Sequence, residues 1–402
     1  MFKSLNFKVI LFGFIFTFFS SFGQSFFLGL FNSSIRDALS ITHGQFGSIY
    51  ASATLLSSFI LVWIGKKIDD VNILKFSSFV IILLATSCFI FSKISSVIFL
   101  FFAIFLMRLS GQGLMSHTAT TTISRYFDRS RGKALSTTWL GLSLAEFTLP
   151  LFIVFLLNII EWRNIWISIS IIVILILPLV SFFLVRNVNL ESREVSSEEK
   201  KIEKEIKQWK RIEVLKDYRF YIICINMLAM PWIATGTFVY QSYISTSKDW
   251  GPYIIAQSFM VYSVLSVITL FFSGFLIDKF SSRKLLIYMN IPLLLAAFVL
   301  FYFNNPISSF VFLGLIGISN GLANVLGSAT WAEIYGVRYI GSIKALTTAL
   351  MVFSTAFGTA LFGILIDKGF SIEQIALVSA SYISIAIIAL FSIKSKLNPH
   401  YI

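Results

Sequence analysis

Gly65-Lys66-Lys67-Ile68-Asp69-Asp70 and, 209 residues later, Gly274-Phe275-Leu276-Ile277-Asp278-Lys279 are the stretches from which the fold is read. Each ends a long apolar segment and opens a short charged loop. A second pair recurs at nearly the same offset: Lys133-Ala134-Leu135 returns as Lys344-Ala345-Leu346, 211 residues on. A hydrophobic chain that repeats itself at half its length predicts two related membrane bundles facing each other across a central cavity. A third Gly-x-x-x-Asp-Lys phrase, Gly363 to Lys368, falls at the far end of an apolar segment. It fits a nested inverted repeat within each half.

Composition points the same way. Of 402 residues, 57% are hydrophobic and 13% charged, against about 25% charged in an ordinary soluble domain. Forty-four phenylalanines would be hard to hide in a water-soluble core. Since about 20 apolar residues cross a bilayer, twelve segments are expected, at 9–31, 44–64, 73–92, 96–122, 133–157, 163–185, 219–246, 252–277, 284–303, 307–333, 341–366 and 372–393. The expected fold is an all-α integral membrane protein: twelve transmembrane helices in two pseudo-symmetric six-helix bundles. The halves are read as 1–186 and 218–402, joined by a charged linker, 187–217. In the linker, Glu203 and Lys207 stand at helical i,i+4 spacing, and Trp209 is expected to rest at the membrane interface.

The net charge of +13 is distributed by side of the membrane. Of the 32 lysines and arginines, 26 fall at the termini and in alternate loops, five on the opposite side, and Arg108 lies inside a span. By the positive-inside rule both termini are expected in the cytoplasm, in the cell (inner) membrane of the host. This alternation also argues against nucleic acid as a partner, because no basic face with exposed aromatics is formed. The first apolar stretch exceeds the 7–15 residues of a signal-peptide core and is read as a retained span.

Enzymatic chemistry finds little footing. Cys88 and Cys224 each sit in apolar segments, and His43, His117 and His400 are scattered, so no metal or other cofactor is expected. A membrane-embedded enzyme would need clustered Asp, His or Cys at a membrane face. Asp69-Asp70 stands without a histidine. A transport-dead sensor would show a cavity blocked by bulky apolar residues or a long extramembrane domain, and the outer loops are too short for such a domain. No GxxxxGK[ST] phosphate loop occurs, so uphill transport would draw on an ion gradient unless a separate subunit supplies energy.

Two full charges fall deep in the membrane. Arg108 precedes Arg125 by 17 residues and Glu146 follows Lys133 by 13, depths of about 25 and 20 Å at about 1.5 Å per residue. A charge there is costly unless paired or hydrated, so it marks a pathway or a partner. Arg108 is expected to anchor an anionic solute, with Glu146 as its resting partner, its proton carrier, or both. Gln24, Tyr240, Gln241, Tyr262, Asn320 and Asn324 are further candidates to line the cavity. A simple interhelical hydrogen bond is the competing role for each. For His117, packing competes with a proton relay.

Twelve spans in two parallel-related halves resemble the major facilitator superfamily over nearly the whole chain. The phrase after span 2 resembles that family's signature loop. The resemblance implies a gating role for Gly65, Asp69, Gly274, Asp278 and Arg125, with the Asp beside a helix N-terminus of the other half. Departures are visible: Asp70-Val71-Asn72 follow Asp69, and Ser281 stands where the family has Gly. Arg108-Leu109-Ser110-Gly111-Gln112-Gly113 is similar to the family's span-4 motif. Arg125-Tyr126-Phe127, Arg131 to Leu135 and Trp162-Arg163 look like its monocarboxylate and oxalate/formate branch. Together these imply alternating-access transport of a small organic anion, coupled to protons, by a monomer whose partners are its solute and the lipid bilayer. The alternative is a uniporter or exporter of a non-anionic molecule.

Overall fold

The computed structural model describes residues 4–127, 131–188 and 207–399, and every regular element among them is helical. Twelve helices are long and apolar enough to cross a membrane. Spans 1 to 6 run Asn6–Gly29, His43–Asp69, Ile73–Ser92, Val97–Tyr126, Gly132–Leu157 and Trp162–Val185. Spans 7 to 12 run Tyr218–Val239, Pro252–Ile277, Ser282–Tyr302, Pro306–Tyr335, Ile340–Asp367 and Ile372–Ser392. Helices are the solution lipid imposes, since every backbone N–H and C=O must find its partner within the segment. The exposed positions along the spans carry many large apolar side chains, among them Val62 at 72% and Phe275 at 73% exposure. Such surfaces are covered by acyl chains rather than water.

The chain divides into two compact units. The first comprises 1–193 together with Phe238–Tyr243 and Thr359–Asp367, and the second holds the rest. In the first, span 1 packs on span 5, span 2 on span 4 and span 3 on span 6. In the second, span 8 packs on span 10 and span 9 on both 10 and 12. The repeat is also visible in backbone approach. A Cβ on Gly141 of span 5 would strike the Phe14 carbonyl of span 1, and a Cβ on Gly358 of span 11 would strike the Trp232 carbonyl of span 7. Small residues at equivalent crossings let both helix pairs close to backbone contact.

One local expectation changes. Span 7, read as 219–246, stops at Val239, and Gln241–Ser247 forms a separate short helix. Trp209 packs on Tyr335. Its backbone N–H donates to the Tyr335 carbonyl at 3.0 Å and its ring meets Tyr335 edge-on. Lys207 caps that ring at 4.2 Å and pairs with Glu213 at 3.0 Å. The Lys210 N–H and the Lys207 ammonium hold the Glu213 carboxyl below the usual carboxylate range. Glu203 and most of the linker lie outside the described residues, as does His400.

Candidate substrate-binding site

Span 1 is not a continuous α-helix. Ser21–Gly23 tightens into a 3-10 turn and Gln24 is extended, with φ −81° and ψ 153°. The helix then restarts one residue late. Phe27 N–H and Leu28 N–H both donate to Gln24 O, so the Gly23 carbonyl is passed over. Opposite this break, span 4 unwinds into a π-helical stretch from Arg108 to Met115, a feature frequent at functional sites. The two irregularities fit each other. A Cβ on Gly23 would land on Met107 O and Gln112 N, and one on Gly111 on the Gly23 backbone.

Arg108 occupies the junction, only 3% exposed. Its Nη1 donates to the free Gly23 carbonyl at 3.1 Å and to Ser25 Oγ at 3.3 Å. Its guanidinium carbon stands 5.3 Å from the ring centre of Tyr50 on span 2, a cation–π geometry. Tyr50 Oη in turn donates to Ser25 Oγ at 3.1 Å. On the other edge of the guanidinium, Nε is buried without a partner among the described residues. This side-on edge is the one that grips a two-oxygen planar group through parallel N–H bonds.

The expected Arg108–Glu146 pair is not formed; no described residue forms an ion pair with Arg108. The physical reason is the break in span 1, which offers the guanidinium a carbonyl, a hydroxyl and an aromatic face from spans 1 and 2. Glu146 is 9% exposed and also lacks an ion-pair partner among the described residues. It belongs to span 5, which runs along span 1. Thr17 Oγ1 donates to Thr138 O at 2.6 Å, and Gly141 abuts Phe14 and Thr17. Two turns further on, this pairing brings Glu146 to the level of the break. Ser25 and Tyr50 were missed from sequence, where a serine and a tyrosine within apolar spans carry no distinctive spacing. The trio Gly23-Gln24-Ser25, polar and small in mid-span, was the available signal.

The other candidates separate. Gln24 is the extended hinge residue itself, half-buried. Tyr240 and Gln241, expected in mid-span, lie beyond the end of span 7. Gln241 Nε2 donates to Phe26 O at 2.7 Å and Phe238 O at 2.8 Å, leaving Oε1 without a partner. Tyr240 Oη lies 2.8 Å from His43 O and 3.1 Å from Thr359 O. In the second unit, Tyr262 is buried, with its ring against Phe259. Asn320 donates to Ser266 Oγ at 2.9 Å, an interhelical tie between spans 10 and 8. Asn324, one turn on, is exposed.

Of the gating residues, Asp69 pairs with Arg125 of its own unit at 3.1 Å, with 59% and 26% of the two side chains exposed. The equivalent corner of the second unit reverses the polarity. Glu333 on span 10 pairs with Arg283 at 2.9 Å and accepts from the Ser282 N–H at the start of span 9. The side chain of Asp278 lies outside the described residues. Gly65 and Gly274 also differ. His117 Nε2 sits 3.0 Å from Gly65 O, and a Cβ on Gly65 would come 3.2 Å from that nitrogen, whereas nothing lies within 4 Å of one on Gly274. Gly65→Ala is therefore expected to gain less stability than Gly274→Ala, because the His117 ring would have to give by a few tenths of an ångström. Gly274→Ala should be neutral or stabilising by up to about 1 kcal/mol. Thermal unfolding in detergent distinguishes the two; an equal change in both would refute the asymmetry.

A membrane protein of twelve spans, with a broken helix and an unwound one meeting at a buried charge, has the architecture of a solute transporter rather than an enzyme. The model of the Major Facilitator Superfamily matches residues 13–359 and again 222–400, and the chain belongs to that superfamily of membrane transporters. No curated protein matches the chain. Among solved structures it is similar to a bacterial homologue of the human lysosomal transporter Spinster in an inward-facing, unoccupied conformation. The TM-score there is 0.73 at 13% identity, over 99% of this chain and 98% of that one. It is also similar to the nucleoside transporter NupG, with TM-score 0.68 at 14% identity, over 97% of this chain and 99% of that one.

Proposed function

We propose that the protein is a secondary transporter of a small organic anion, such as a monocarboxylate, working by alternating access with proton coupling. The observation that carries this reading is the guanidinium of Arg108, which has no ion-pair partner among the described residues and whose Nε has no hydrogen-bond partner among them. Leaving a buried charge uncompensated costs several kcal/mol. A carboxylate brought by the solute repays that cost and uses the free edge bidentately. Glu146 supports the coupling. As a buried carboxyl with no ion pair among the described residues, it can take up and release a proton without first breaking one. The short matches around Arg125-Tyr126-Phe127 and Arg131 to Leu135 support the monocarboxylate-like branch. The charge count supports both termini in the cytoplasm of the cell inner membrane. The protein is taken to act as a monomer.

The test is uptake into proteoliposomes of radiolabelled small carboxylates and of neutral solutes such as nucleosides, with and without an inside-alkaline gradient. Carboxylate uptake that responds to the gradient and is lost in Arg108→Ala supports the reading. Uptake of a neutral solute, indifferent to Arg108→Ala, would replace it with a non-anionic substrate.

A further inference from the structure

We infer that the third Gly-x-x-x-Asp phrase, Gly363 to Asp367, is a latch that fastens the end of span 11 to the beginning of span 2. Span 2 starts at His43 and its first N–H groups have no partner within the helix. Thr42 and Gln45 form a capping box, in which Thr42 Oγ1 accepts from Gln45 N–H and Gln45 Oε1 accepts from Thr42 N–H. The Gly44 N–H is taken by Asp367 Oδ2 at 2.8 Å, across 323 residues of chain. A carboxylate there also meets the positive end of the helix dipole. Beside it, the Tyr240 hydroxyl spans His43 O and Thr359 O. The approach needs missing side chains: a Cβ on Gly44 would strike Asp367, and a Cβ on Gly363 would strike Tyr240 Oη and His43 O.

The arrangement is the one the resemblance implied for Asp69, a carboxylate at a helix N-terminus, but Asp69 is engaged with Arg125 of its own unit. The device sits on the side opposite the termini, which the charge count puts outside. Asp367 is exposed, while Gly44 is buried. Arg36, Asp37 and His43 are the charged or titratable neighbours that act on this corner, with Lys368 next in the chain. A single cap in exposed surroundings is strong enough to bias two states and weak enough to release. The inference does not depend on the identity of the solute, so it can fail while the transport reading stands.

The experiment places spin labels at Ser48→Cys on span 2 and Ile364→Cys on span 11, both exposed, in detergent-purified full-length protein. The native Cys88 and Cys224 are buried. With Asp367→Ala, the population of longer label distances should rise roughly three- to tenfold. Asp367→Asn, which keeps an acceptor, should shift it less. Should Asp367→Ala fail to fold, Tyr240→Phe, lacking one hydroxyl, must produce a rise of the same sign. Unchanged distances in folded Asp367→Ala, or in Tyr240→Phe, would overturn the latch.

Discussion

Arg108→Ala is expected to raise the KM for a carboxylate solute by roughly 10- to 100-fold, the value of charge-assisted hydrogen bonds in a buried site. Arg108→Lys should recover only part of the loss. A lysine restores the charge but not the two parallel N–H groups that Nε and its neighbour present side-on. Stability should move the other way. The guanidinium is held by one carbonyl, one hydroxyl and one aromatic face, with no carboxylate among the described residues to neutralise it. Removing such a charge relieves its desolvation cost, so the alanine variant should unfold at the same temperature as wild type or higher. A residue of purely structural value would lose both transport and stability. Uptake kinetics paired with thermal unfolding in detergent check this, and a falling midpoint alongside unchanged KM would reverse the assignment.

Glu146→Gln should abolish accumulation driven by a pH gradient while sparing solute exchange at equal pH. With one proton per solute, a gradient of one pH unit drives about tenfold accumulation, since each 1.4 kcal/mol is a factor of ten. The variant should fall to a ratio near one. Glutamine keeps the shape and hydrogen-bonding capacity of the protonated acid, so the site would be frozen in its loaded form. Exchange of labelled for unlabelled solute is the control that the protein remains folded and open to its substrate. Accumulation retained in Glu146→Gln across the pH range would move the proton to another group.

How far the site was legible in the sequence depends on how local its causes are. Arg108 and Glu146 stand out because a charge inside an apolar run is conspicuous without knowledge of any neighbour. Their pairing was inferred from depth alone, and depth does not specify which face a side chain takes. The partner of Arg108 depends on a skipped hydrogen bond at Gly23 and on the unwinding of span 4, neither of which has a period to detect. Tyr240 shows the opposite limit. Its polarity in an apolar context was visible, but a span boundary seven residues short of the expected one turned a cavity candidate into a fastening. Asn320 found Ser266, the plain interhelical bond that competes with any solute contact in lipid.

By itself the sequence determined the twelve crossings, the repeated halves and the segregation of basic loops. These follow from hydropathy and charge, which act on each segment independently, because lipid demands that every helix satisfy its own backbone. Tertiary structure alone decided that Arg108 rests on a broken helix rather than on Glu146, and that Asp367 rather than Asp69 caps a distant helix. Those choices turn on contacts between residues 83 to 323 positions apart, where small differences in backbone path select one acceptor over another.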